Sequence, residues 1–244
     1  MSQSSPNWPT DQDRQYTAAP PLPVADAAVD VRFDYMKRMY GYLMAGIASF
    51  VALEIFLFTV GLGDAIARFA ISTNWLLILG AFMLANWLAT TYLFKAKTRT
   101  GQLAAYGLII LAQALIFTPM LWLAFNQIGG SVVGQAAAVS TVAFVGLTGV
   151  AMTSSKDFSF LGSLLKWGGI VAIALIVLSV IFGMNLGVWF SIAMIAFAGG
   201  AILWETQQIL RNYPEGTELV AAVQLFSSVM LLFWYVLRLF MSRD

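Results

Sequence analysis

Long apolar runs separated by short polar segments fill the chain from Met39 onward. Seven runs approach or exceed the roughly 20 residues that a helix needs to cross a bilayer; they lie at 39–62, 75–94, 103–125, 132–152, 158–182, 186–204 and 219–240. The runs are continuous rather than alternating, which is typical of membrane helices and not of barrel strands. The pattern predicts an all-α, polytopic membrane protein with seven transmembrane helices. A six-helix alternative stays open, in which the sixth and shortest run is re-entrant.

The first 30 residues differ from the rest of the chain. They hold five of the seven prolines, with Ser, Asn, Gln and Asp between them. Such a segment buries too little apolar surface to offset its ordering entropy, so we predict a disordered tail over 1–30 and a membrane domain over 31–244. The tail lacks the apolar centre of a signal peptide, and the first run is therefore expected to be an uncleaved anchor.

Composition excludes several classes of function. Hydrophobic residues make up 60% of the chain and charged residues 10%, and the chain has neither histidine nor cysteine. Without histidine the chain lacks the usual general base and the commonest metal ligand. Without cysteine it can form no disulfide and carry out no thiol chemistry. We expect no catalytic residues, no cofactor and no bound metal, and hence not an enzyme. A net charge of +1 does not favour nucleic acid, so the expected partner is the lipid bilayer.

Basic residues predict the orientation of the helices. With the N-terminus inside, ten basic residues fall on the cytoplasmic side and three, Arg68, Arg238 and Arg243, on the other. The excess follows the positive-inside rule and places the C-terminus outside. The lack of cysteines and the short loops fit a bacterial inner membrane.

Two charged residues lie within the outer half of the predicted bundle. Glu54 lies in the first run and Arg238 near the end of the seventh. Glu54 is either a neutral or interface-paired carboxyl, or part of an ion or proton path. Arg238 either pairs with Glu54 or reaches the headgroups alone, and its position near a helix end favours the second interpretation.

Two further polar segments face the inner side. Glu205 ends the sixth run, where a negative charge opposes the helix dipole; it is either a solvated carboxylate or in contact with a neighbouring helix, for which Gln224, Ser227 and Ser228 are the nearest candidates. The Lys156–Asp157 pair joins the fourth and fifth runs, and Asp157 or Ser155 is expected to cap the helix that follows.

Four segments together resemble one family, the Bax inhibitor family of membrane proteins. They are VRFDYMKRMYGYLMAGIASF (Val31–Phe50), TVAFVGLTGVAMTSSKDFSFLGSLL (Thr141–Leu165), WETQQI (Trp204–Ile209) and LRLFMSRD (Leu237–Asp244). The resemblance runs from Val31 to the C-terminus. It implies a seven-helix bundle with the last helix at the centre, wrapped by the other six.

The resemblance also implies several possible functions. Bacterial members are described as pH-sensitive calcium leak proteins in which two aspartates, on helices six and seven, share a proton and latch a pore. Other members suppress cell death from the endoplasmic reticulum, or interact with a membrane protease.

The chain departs from this pattern at the latch. Glu205 replaces the first aspartate and Ser228 the second, so a Glu205–Ser228 hydrogen bond is the remaining latch, while Arg238 matches the family arginine. Two hypotheses follow. The first is a cation leak channel, with calcium as the transported ion, in which Glu205, Ser228, Glu54 and Arg238 shape the path. The second is a non-conducting partner of a membrane protease or of a stress pathway, with the N-terminal tail as its handle.

Overall fold

Eight α-helices form the part of the chain that the computed structural model describes, residues 23–154 and 156–242. They are α1 (Val29–Thr59), α2 (Leu62–Ser72), α3 (Trp75–Lys95), α4 (Arg99–Leu123), α5 (Ser131–Thr153), α6 (Ser159–Ile181), α7 (Gly187–Asn212) and α8 (Glu218–Met241). A π-helical turn (Ala124–Ile128) extends α4, and a 3₁₀ turn (Val24–Asp26) precedes α1. All helices except α2 are long and apolar enough to cross a membrane. This confirms the predicted all-α architecture with seven membrane helices.

The sixth predicted run forms α7, a continuous helix of 26 residues. The re-entrant alternative is therefore wrong. The apolar run stops at Trp204, but the helix continues for two more turns to Asn212. In these turns Gln207 hydrogen-bonds to the α5–α6 connection and Arg211 pairs with Asp157.

The membrane domain begins earlier than the sequence predicts. α1 starts at Val29, ten residues before the apolar run, and the segment ahead of it is anchored. Val24 is 1% exposed, and its backbone N–H donates to the carbonyl oxygen of Tyr213 at 2.8 Å. The boundary at residue 30 is therefore too late, and the rest of the predicted disordered tail, residues 1–22, lies outside the described residues.

The short helix α2 was predicted as a polar break between two spans. It is 11 residues long, too short to cross a bilayer, and packs against α4. Its buried face carries the small residues Gly63, Ala67 and Ala70, which let the helix lie close to its neighbours. Asn74 ends the connection to α3, where its side chain accepts a hydrogen bond from the Leu76 N–H at 2.9 Å and so caps α3.

The inner helices of the bundle are α4 and α8. α8 packs against α1, α4, α5 and α7, whereas α3 packs mainly on α4, and α6 mainly on α7. Four of the six other spans thus pack closely on α8, while α3 reaches it through the stacked rings of Trp75 and Trp234, whose centroids lie 6.3 Å apart, and α6 through a small core cluster that holds Ala172 and Tyr235. Aromatic rings fill the crossing of α1, α4 and α8, where Phe117 contacts Phe50, Phe233 and Trp234 at centroid separations of 5.2, 5.6 and 5.0 Å.

The alternation of the seven spans gives the bundle two ends. We call the basic end the one that holds the start of α1 and the α3–α4, α5–α6 and α7–α8 connections, with Lys95, Lys97, Arg99, Lys156 and Arg211. The opposite end holds α2, the π-helical turn, the α6–α7 connection and the end of α8.

Candidate functional site

Glu205 lies inside α7 and is buried. The helix continues to Asn212, and Glu205 is 8% exposed. Its Oε2 has no hydrogen-bond partner among the described residues. Of the two interpretations of Glu205, burial excludes the solvated carboxylate at a helix end and leaves the contact with a neighbouring helix. The helix-dipole argument does not apply to this position. Burying an unpartnered acidic oxygen inside a membrane protein is costly, which makes Glu205 a candidate functional residue.

Two of the three α8 side chains that the sequence offers as contacts of Glu205 lie beside it. Ser228 and Gln224 face its carboxyl, and Ser228 is 7% exposed. Ser227 instead donates to the carbonyl oxygen of Val223, one turn earlier, at 3.1 Å. A serine faces Glu205 where the family resemblance implies an aspartate, so this pair has one carboxyl to titrate instead of two.

A large cavity extends from this pair toward the opposite end of the bundle. Its volume is about 1130 Å³, and its lining includes Glu205 and Ser228 at one extreme and Asn185, Arg238 and Thr73 at the other. Ser228 and Arg238 are ten residues apart on α8, so the cavity follows the helix for about 15 Å. Residues between them are mostly apolar, with Gln113 as a buried polar exception.

Tyr213 and Gln224 separate Glu205 from the basic end. The Tyr213 hydroxyl donates to Oε1 of Gln224, and Tyr213 lies in the α7–α8 connection. Burial, and to a smaller extent the nearby Glu205 carboxyl, raises the pKa of Tyr213 above its usual value. The phenol is therefore neutral near pH 7 and remains a hydrogen-bond donor. Neither Tyr213 nor Gln224 lines the large cavity, which ends at Glu205.

Gln207 fastens the α5–α6 connection onto α7, a role that the sequence did not reveal. Its Nε2 donates to the carbonyl oxygen of Lys156 at 2.8 Å, and its Oε1 accepts from the Phe158 N–H at 2.7 Å. Gln207 is 3% exposed. The available signal was the unbroken polar series from Glu205 to Gln208, whose members cannot all face solvent on one helix.

Asp157 completes this connection. Its Oδ1 accepts from the Ser159 N–H at 2.9 Å and from the Ser159 hydroxyl at 2.6 Å, and it lies 3.5 Å from Nη1 of Arg211. The N-cap residue of α6 is Phe158, so Asp157 bonds the first residue of the helix from one position before the cap. Ser155, the other capping candidate, lies outside the described residues. The Ser159 hydrogen bonds, helped by Arg211, hold the pKa of Asp157 below its usual range. The stability that these hydrogen bonds provide is thus present at neutral pH and is lost as pH falls through that lowered pKa.

We expect Gln207→Leu to loosen the α5–α6 connection. Two hydrogen bonds to a buried amide are removed, so the free energy of unfolding should fall by about 1–2 kcal/mol. Trypsin should also cut faster after Lys156, which this connection exposes. Melting in detergent and timed digestion measure both effects.

Gln208→Leu is the matched control for this substitution. The neighbouring Gln208 side chain accepts from the Asn212 side chain on its own helix, and its replacement should leave cleavage unchanged. Equal cleavage of Gln207→Leu and wild type would contradict the fastening role.

Glu54 and Arg238 lie at different cavities. The Thr118 hydroxyl donates to Oε2 of Glu54 at 3.1 Å, and Glu54 lines a second cavity of about 500 Å³ between α1, the end of α4, α5 and α8. Arg238 is half-buried and lines the large cavity. The structure thus brings Glu205, Ser228 and Arg238 to one cavity and separates Glu54 from them.

Ion pairs within the described residues lie outside both cavities. They join Arg99 to Glu218 at 3.9 Å and Arg211 to Asp157 at 3.5 Å; neither involves Glu54 or Arg238. No group of three or more acidic side chains in residues 23–154 and 156–242 is placed to hold a metal ion.

Comparison with known proteins identifies the family. The family model described as "Inhibitor of apoptosis-promoting Bax1" matches residues 32–244. The chain belongs to the Bax inhibitor family. The match confirms the resemblance found in the sequence and covers the membrane domain from the start of α1 to the C-terminus.

Two bacterial relatives match this Bax inhibitor protein over part of its length. It is 31% identical over 115 residues to the uncharacterized protein PA2604 of Pseudomonas aeruginosa, which is 46% of this chain and 50% of that protein. It is 38% identical over 120 residues to the uncharacterized protein Cj0236c of Campylobacter jejuni, which is 47% of this chain and 51% of that protein. The matched region spans about half the length of each relative.

Proposed function

We propose that this Bax inhibitor protein is a cation leak channel, with calcium as the candidate ion. The observation that carries the proposal is the buried carboxyl of Glu205, whose Oε2 is unpartnered, at the closed end of a cavity of about 1130 Å³. Acidic groups that line membrane cavities concentrate cations and commonly mark ion pathways. Family membership supports the proposal at the level of the resemblance stated above.

The two ends of the cavity have different roles in this proposal. Arg238 carries a positive charge near the opposite end and slows cation entry, which suits a leak better than a fast channel. Glu205 and Ser228 hold the closed end, and a cation can pass only when α7 and α8 separate beside them. Because Ser228 replaces a second carboxyl, the latch binds at most one proton and responds less steeply to pH than a coupled pair does.

Replacing the carboxyl at the closed end tests the proposal. We expect wild-type protein in dye-loaded liposomes to admit calcium faster than protein-free liposomes, with larger flux at about pH 8 than at about pH 6, since the ionised carboxyl attracts the cation. Glu205→Gln keeps the shape and removes the charge, so flux should fall about tenfold and become the same at both pH values.

Glu215→Gln is the matched control, because Glu215 is exposed in the α7–α8 connection. It should conduct as the wild type does. Wild-type flux in Glu205→Gln would remove the role given to Glu205, and wild-type flux equal to that of protein-free liposomes would remove the channel.

The second candidate is a non-conducting partner of a membrane protease or of a stress pathway. The replacement of the second carboxyl by Ser228 favours it, since the paired latch is incomplete. The structure sharpens its test. Val24 is buried against the α7–α8 connection, so a truncation should remove residues 2–22 and keep the anchored segment. A longer half-life in cells after this truncation supports the tail as the segment that the protease binds, and an unchanged half-life contradicts that role.

We also propose an orientation and a membrane for the protein, and no enzymatic activity. We assign the basic end to the cytoplasm by the positive-inside rule and the protein to a bacterial inner membrane, which the two bacterial relatives support. We assign it no enzymatic activity and no cofactor, because the sequence offers neither histidine nor cysteine.

A further inference from the structure

The segment ahead of α1 is attached to the α7–α8 connection. Pro23 and Pro214 pair there in an isolated antiparallel bridge, and the backbone N–H of Val24 donates to the carbonyl oxygen of Tyr213 at 2.8 Å. The Val24 side chain is 1% exposed and belongs to the main apolar core, against which Tyr213 packs. We call residues 23–28 the anchor.

The connection that the anchor holds covers Glu205 on the side of the basic end. The Tyr213 hydroxyl donates to Oε1 of Gln224, and Gln224 faces the Glu205 carboxyl. The large cavity reaches Glu205, but neither Tyr213 nor Gln224 lines it. This hydrogen-bonded pair, which we call the gate, therefore lies between the closed end of the cavity and the basic end.

The two halves of the connection are held in different ways. The later half is fixed by α1, since the Tyr35 hydroxyl lies 3.2 Å from Oγ1 of Thr217, and the Thr217 hydroxyl donates to the carbonyl oxygen of Pro214 at 2.6 Å. The earlier half, at Tyr213, is paired with the anchor. A short segment with one buried aliphatic side chain opens locally at a much smaller free-energy cost than a packed helix. The anchor is thus the part that detaches without unfolding the bundle.

We propose that the anchor holds the gate closed and that its release opens Glu205 to the basic end. With Val24 in place, the backbone of Tyr213 is held where its hydroxyl reaches Gln224. When the anchor detaches, Tyr213 moves away from Gln224 and uncovers the closed end of the cavity. Val24 is therefore a positioning residue that acts through Tyr213. Its effect on ion flux rests on the proposed leak, whereas its effect on access to the cavity does not.

The rate at which a single thiol is labelled from each membrane face tests the proposal. The chain has no cysteine of its own, so Ser228→Cys, beside Glu205, serves as the parent in oriented membrane vesicles with a charged, membrane-impermeant methanethiosulfonate reagent. A separate variant, Glu215→Cys, places an exposed thiol in the α7–α8 connection and identifies the face that carries the basic end. We expect the parent to be labelled from the opposite face, and at least about tenfold more slowly from the basic end.

Adding Val24→Asp to the parent should speed labelling from the basic end at least about tenfold, because a carboxylate is costly to bury where valine lies and the anchor detaches. Labelling from the opposite face should not change, since the cavity itself is untouched. Tyr213→Phe removes the hydroxyl that donates to Gln224 but keeps the Val24 contact, and should speed labelling from the basic end about threefold.

Val29→Asp is the matched control, because it makes the same change at a valine that is 80% exposed at the start of α1. It should be labelled as the parent is. Labelling from the basic end that is as slow with Val24→Asp as without it would overturn the proposal, and so would faster labelling from both faces, which indicates a loosened bundle. Faster labelling from the basic end alone supports the gate whether or not calcium flux rises, so failure of the leak is distinguishable from failure of the gate.

Discussion

Gly46→Ala should severely destabilise the bundle. A Cβ at Gly46 would overlap the Tyr106 hydroxyl oxygen and lie 2.5 Å from Cζ of the same ring. The ring cannot swing away, because its hydroxyl donates to the carbonyl oxygen of Tyr42 at 3.2 Å and its edge packs on Phe226 with centroids 5.6 Å apart. Since α1 and α4 must move apart, we expect a loss of about 3 kcal/mol in the free energy of unfolding, the upper end for overpacking.

Thermal unfolding in detergent measures this loss, and a second glycine of α1 provides the control. A Cβ at Gly41 meets nothing within 4 Å, so Gly41→Ala should stabilise the helix by about 0.5–1 kcal/mol. Adding Tyr106→Leu to Gly46→Ala removes the overlapping atoms and should recover part of the loss. Wild-type melting of Gly46→Ala would contradict the close approach of α1 and α4.

The bounds of a membrane helix are predictable from the sequence where the apolar run and the helix have the same ends to within one residue. This holds for α3, which is predicted at 75–94 and observed at Trp75–Lys95, because Asn74 caps one end and a lysine marks the other. It fails at α1 and α7, where polar turns prolong the helices beyond the apolar runs. Hydropathy detects the part of a helix that lies in lipid. It does not detect a polar continuation of that helix that packs against other parts of the protein.

The candidate residues were predictable by type, but their surroundings were not. The run pattern predicts the same half of the bundle for Glu54 and Arg238. It could not give the direction in which each side chain faces, and they line different cavities. The burial of Glu205 was also hidden, because it depends on the continuation of α7 past Trp204. That continuation packs against the α5–α6 connection through Gln207, whose partners lie about fifty residues away in sequence.

A single cysteine at Ser228 tests whether the large cavity is the ion path. The chain has no cysteine of its own, so Ser228→Cys carries the sole thiol. Ser228 lines the cavity beside Glu205, and a reagent group attached there would occupy the closed end. Ser191→Cys is the matched control, since Ser191 is on α7, 2% exposed, and lines neither cavity.

The decisive measurement is calcium flux into dye-loaded liposomes that hold Ser228→Cys, before and after a charged, membrane-impermeant methanethiosulfonate reagent is present on both faces. We predict that the reagent labels this thiol, that flux falls to the level of protein-free liposomes, and that dithiothreitol restores it. Ser191→Cys should remain unlabelled and conduct throughout. Complete labelling of Ser228→Cys with unchanged flux, or persistent flux while the thiol stays inaccessible, would contradict the assignment of this cavity as the cation pathway.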